Sequence, residues 1–178
     1  MAPPPPSPQP QTPSPAPIIS LPLRILTFIF LLISLIILTT NTATLVLGLN
    51  ELNLHFKDIY AFRYMVASIV IGIAYTLLQM AFTIYHLSMG HRLVGGDGFY
   101  QFDFYGDKAV SYLLATGTAA AFGASVDMKD ALSGTGSSVD KFFEKANAAA
   151  SLLLFAFLFS AVSSVFSAFA LPKKIYYN

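Results

Sequence analysis

Arg24 and Asp107 are the residues in this chain whose types and positions could do chemistry. Arg24 falls near the start of the first of four long apolar stretches, and Asp107 near the start of the third. An ionisable residue inside a membrane span costs on the order of 2.5–3.5 kcal/mol at the centre and less near an end. When four stretches cross a bilayer in turn, the first and third run the same way. Both charges then end at one membrane face. Arginine presents a planar fork that can grip a carboxylate with two hydrogen bonds, and it stays charged at any relevant pH. Two arrangements satisfy the charges. In one, Arg24 binds Asp107 and locks span one to span three. In the other, Arg24 snorkels to lipid phosphates, while Asp107 caps its own helix or pairs with Lys108. Spacing alone leans slightly to the second, because an acidic residue in a first helical turn is ordinary.

No catalytic constellation accompanies them. His55, His86 and His91 are scattered among loops and span ends, without the neighbours of a metal site or a triad. The run GGDGFYQFD is glycine-rich but lacks the strand, helix and lysine of a phosphate loop. The chain has no cysteine, which excludes disulfides, thiolate metal sites, a cysteine nucleophile and S-palmitoylation. No enzyme, no cofactor and no metal are expected.

The elements that must position the two charges are membrane helices. Of 178 residues, 55% are hydrophobic and 11% charged, against about 25% charged in soluble domains. Lipid is therefore the main solvent. A net charge of +1 leaves no nucleic-acid footprint. The apolar runs place spans at 22–47, 59–87, 105–126 and 142–171, each long enough for the roughly 20 residues a bilayer core requires. The runs are continuous rather than alternating, so strands are not expected. The fold class is all-α: a four-helix transmembrane bundle, residues 21–171, between a disordered proline-rich tail at 1–20 and a short tail at 172–178.

Residues 1–17 hold nine of the eleven prolines. Proline fixes φ and removes amide donors, so this segment is expected to be a solvated, polyproline-like tail. Its PxxP patterns could dock a proline-recognition partner, and Ser7, Thr12 and Ser14 each precede proline. It lacks the positive n-region of a secretory signal. With both termini cytoplasmic, the basic residues divide five and five across the bilayer, so the positive-inside rule does not decide. The Lys173-Lys174 pair after the last span leans towards termini inside.

Helix packing has its own signals. Ala115, Ala119 and Gly123 recur every four positions in span three, as do Ser160 and Ser164 in span four. Small residues at this spacing let helices approach closely, within the bundle or between copies. Gln79 and Asn147 are polar within apolar runs, and each is expected to make an interhelical hydrogen bond worth about 0.6–2 kcal/mol. A transporter or channel subunit is the alternative function, with Gln79, Asn147 and the charge pair lining a polar path. Repeated Gly and Pro breaks, a proton relay and an inverted repeat are not visible.

The chain resembles the plant Casparian strip membrane domain protein-like (CASP-like) family, related to the MARVEL four-span proteins. The resemblance rests on LRILTFIFLLISLIILTTN, FKDIYAFRYMVASIVIGIAY and FYGDKAVSYLLATGTAAAFG. The family pattern has an arginine in span one and an aspartate in span three, which Arg24 and Asp107 match. The resemblance implies a multi-pass plasma-membrane protein with cytoplasmic termini and no enzymatic activity. It also implies homo-oligomers, or hetero-oligomers with related members, that form a scaffold linked to cell-wall modification. The loop NELNLHFKD departs from the first-loop signature of strip-forming members, which points to a scaffold elsewhere than the Casparian strip.

Overall fold

A computed structural model of the chain describes residues 16–47, 50–89, 98–132 and 137–169. Four helices carry the fold: α1 (Ala16–Thr39), α2 (Tyr60–Met89), α3 (Gly98–Ala131) and α4 (Ser137–Phe169). Each contains a stretch long and apolar enough to cross a membrane. Each packs on its sequence neighbours, and α4 closes the ring on α1. This leaves α1 and α3 on a diagonal. The proline-rich residues 1–15, the glycine-rich loop at 90–97 and the C-terminal residues 170–178 lie outside the described residues.

Span one ends earlier than its hydropathy suggests. The helix stops at Thr39, and residues 42–47, expected inside the span, form strand β1 (Thr42–Leu47). That strand pairs antiparallel with β2 (Asn50–His55), from Thr42 opposite His55 to Leu47 opposite Asn50. The all-α four-helix bundle stands, and the expectation of no strands is corrected by this one hairpin. The apolar window Leu21–Thr39 has 19 residues. At about 1.5 Å per residue it already measures close to the roughly 30 Å of a bilayer core. Thr39 and Thr40 turn their hydroxyls back on the carbonyls of Leu35 and Ile36, at 2.7 and 2.6 Å. Thr42, Thr44 and Val46 then alternate, as suits β-branched residues in a strand. The hairpin packs on the start of α4, where the Thr44 amide meets the Ser138 hydroxyl at 3.4 Å.

Several other boundaries move outward. Ala16–Ser20, expected in the tail, belong to α1. Pro17 falls in the first turn, where a missing amide costs nothing, whereas Pro22 sits inside the helix. The loops expected at 88–104 and 127–141 are largely taken up by longer helices.

Between the helices the core is apolar and close-packed. Leu31 and Leu38 of α1, Phe62, Met65 and Ile69 of α2, Leu114 and Ala121 of α3, and Phe142, Phe143 and Leu153 of α4 are buried. Isoleucines 25, 29, 33 and 36 form an exposed apolar stripe on α1. In lipid such a stripe is ordinary solvent-facing surface, so helix association rests on packing and polar bonds.

Candidate functional site

The two charges meet inside the bundle. Arg24 Nη2 lies 3.2 Å from Asp107 Oδ2, and the residues are 6% and 3% exposed. The bond therefore crosses the diagonal between α1 and α3. Two local facts favour it over snorkelling and capping. Helix α3 begins at Gly98, so Asp107 stands well inside it rather than at a cap. Lys108 is held over the Phe104 ring, 4.5 Å from its centre.

The other helices join the pair. From α2, the Tyr75 hydroxyl donates to Asp107 Oδ1 at 2.8 Å. One helical turn on, Gln79 Nε2 donates to the Tyr75 oxygen at 2.7 Å. From α4, Ser160 shares a 3.0 Å hydroxyl contact with Ser111 of α3. Ser111 in turn donates to the Asp107 carbonyl at 2.7 Å. Every helix thus brings a polar group to one cluster. Charged partners and low dielectric make each of these bonds stronger, and each unmade bond dearer, than in water.

Glycine makes the approach possible. A Cβ at position 106 would lie 2.6 Å from the Tyr75 oxygen and 2.8 Å from its ring. Only glycine beside Asp107 leaves room for the tyrosine that binds it. Sequence reasoning did not single out Tyr75, Gly106 or Ser111. The i, i+4 spacing of Tyr75 and Gln79, and the Gly-Asp step at 106–107, were the signals available.

The remaining expected residues fall into different roles. Gln79 is buried, but its side-chain amide donates to Tyr75 within α2 rather than to another helix. Asn147 is half-buried and its side-chain oxygen has no hydrogen-bond partner among the described residues. Bonds to α4 come instead from Ser34 of α1, donating to the Ala149 carbonyl at 2.8 Å, and from Asn41 just past α1, donating to the Phe142 carbonyl at 2.7 Å. Ser160 and Ser164 are buried within the bundle. On α3 the face that packs inward is Gly117, Ala121 and Ser125. Ala119 and Gly123 are exposed and Ala115 half-buried, and nothing lies within 4 Å of a Cβ built on Gly123. Two small-residue faces share one helix, and the inward one has the closest contact, Gly117 against the Ser68 side chain.

The cluster borders a partly open pocket of about 10 Å3 lined by Arg24, Thr27, Tyr75, Thr76, Asp107, Ser160 and Ser163. Arg24, Tyr75 and Asp107 bind one another across three helices, which suits holding helices together. Among the described residues no group of three or more His, Asp or Glu is placed to hold a metal ion.

Comparison with known proteins matches these features. The model of the Casparian strip membrane protein domain matches residues 13–159. CASP-like protein 4D1 of Ricinus communis is 56% identical over 131 residues, covering 74% of this chain and 77% of its own. CASP-like protein 4D1 of Glycine max is 54% identical over 123 residues, covering 69% and 70%. CASP-like protein 4D2 of Arabidopsis thaliana is 52% identical over 131 residues, covering 70% and 73%. No solved structure matches. The matched region takes in α1, α2, α3 and most of α4 with the charge pair between them, and the chain belongs to the Casparian strip membrane protein domain family.

Proposed function

We propose that this chain is a non-enzymatic plasma-membrane scaffold that self-associates and organises a membrane subdomain, with both termini cytoplasmic. The observation that carries the reading is the outer face of α3. Ala119 and Gly123 stand exposed one turn apart, and the space over Gly123 is open. Small residues at that spacing on a lipid-facing helix let a second helix approach closely. The family's name, Casparian strip membrane protein domain, supports a role at a membrane. Homo-oligomers, or hetero-oligomers with related members, are the partners this face suits. The interior supports a structural role as well. Arg24, Asp107, Tyr75 and Gln79, which a conduit would need free, are bonded to one another beside a pocket of about 10 Å3.

Single-molecule photobleaching of the fluorescently tagged chain at native density tests the proposal. Multi-step bleaching is expected. Spots that bleach persistently in one step would exclude self-association and with it the scaffold.

A further inference from the structure

We propose that the bundle binds one internal water molecule between Arg24 of α1 and Ser163 of α4. The inference starts from two orphaned groups. Arg24 uses Nη2 on Asp107, but its Nε–H is buried and has no hydrogen-bond partner among the described residues. Ser163 is 3% exposed, and its hydroxyl likewise has no partner among the described residues. A buried donor on a charged group is expensive to leave unsatisfied, and native interiors rarely do so. Both residues line the same cavity, of about 10 Å3. That is the lower end of the roughly 10–15 Å3 that one water requires.

The chemistry of the wall selects the occupant. A lipid methylene brings no acceptor for Nε–H. An anion would sit beside the Asp107 carboxylate, and a cation beside the guanidinium. Water alone accepts from Nε–H and donates to a hydroxyl oxygen while remaining neutral. Its second proton has acceptors in the same wall. Thr27 and Thr76 donate to the carbonyls of Leu23 and Gly72, at 2.9 and 2.7 Å, which leaves their oxygens lone pairs. The water thus makes about three bonds, the usual number for a buried one. It ties α1 to α4 where the charge pair ties α1 to α3. This site is independent of self-association and stands or falls on the single chain.

The test uses the full chain in nanodiscs, labelled with 15N-arginine. The chain has three arginines, Arg24, Arg63 and Arg92. Arg63→Lys and Arg92→Lys leave one Nε–H signal, that of Arg24. A slowly exchanging Nε–H with a direct Overhauser cross-peak to water is expected. Ser163→Val, which replaces the hydroxyl with a methyl group that fills the space, should abolish the cross-peak and keep the signal. A protected Nε–H without a water cross-peak in the Ser163 chain would show a dry cavity and overturn the proposal, whatever the variant does. A cross-peak unchanged in Ser163→Val would overturn it equally.

Discussion

The Tyr75 hydroxyl occupies the space that a side chain at position 106 would need. A Cβ on Gly106 would lie 2.6 Å from that oxygen, while the same oxygen donates to Asp107 at 2.8 Å. The glycine and the aspartate that follows it therefore serve one purpose. One admits the tyrosine, and the other binds it.

Gly106→Ala is expected to destabilise the bundle. Alanine gains about 1 kcal/mol in helix propensity, but overpacking against a rigid ring costs about 1–3 kcal/mol. Displacing the ring would also break its bonds to Asp107 and Gln79. In a Tyr75→Ala background the clash is gone, so Gly106→Ala should become neutral or stabilising. Thermal melting in detergent, followed by circular dichroism, reads the change of sign. An equal loss in both backgrounds would separate Gly106 from Tyr75.

Tyr75→Phe removes one donor to Asp107 and leaves the buried Gln79 amide without the acceptor seen here. A cost of about 1–3 kcal/mol is expected. Adding Gln79→Leu replaces the stranded amide with an apolar group, so the double variant should lose less than the sum of the singles. Denaturation in SDS from mixed micelles measures all three. Strict additivity would show that the two side chains do not act together.

The two faces of α3 predict opposite outcomes for one kind of change. Gly117 packs against Ser68, so Gly117→Leu should disrupt the fold and lower the yield of well-folded chain. Gly123 has open space over it, so Gly123→Leu should fold with unchanged or slightly raised stability. If the outer face mediates self-association, Gly123→Leu should also reduce the number of photobleaching steps. Reduced association without loss of stability separates the two faces. Step counts unchanged by Gly123→Leu would move the contact elsewhere.

The four spans were legible because composition alone distinguishes lipid from water as solvent. The hairpin was not. The run TATLVL is as hydrophobic as the helix before it, and short apolar runs do not separate strand from helix. What separates them is length. By Thr39 the helix has used up the bilayer, and the cluster Thr39-Thr40-Asn41 is a poor continuation. Arg24 and Asp107 were legible as charges in lipid, yet their pairing depended on where α3 begins, and hydropathy does not mark that to within a turn. Tyr75 was hidden because tyrosine in a span reads as packing or as interfacial belt. The inward face of α3 was hidden because small residues recur on several of its faces at once. Only the neighbours, Ser68 among them, decide which face is buried.

The buried Arg24–Asp107 bond is expected to lock α1 to α3 across the bundle. Removing one partner of a buried pair costs about 3–5 kcal/mol, because the other charge is left alone. Arg24→Ala and Asp107→Ala should each lower stability and surface delivery. The exchanged chain, Arg24→Asp with Asp107→Arg, should recover part of the loss. Recovery should be incomplete, since Tyr75 donates to the carboxylate at position 107 and would face a guanidinium instead. The direct measurement is the thermal midpoint of the parent chain, the single charge reversals and the exchanged chain in one detergent. The lock predicts that the exchanged chain melts above both single reversals. An exchanged chain no more stable than the worse single reversal would contradict it.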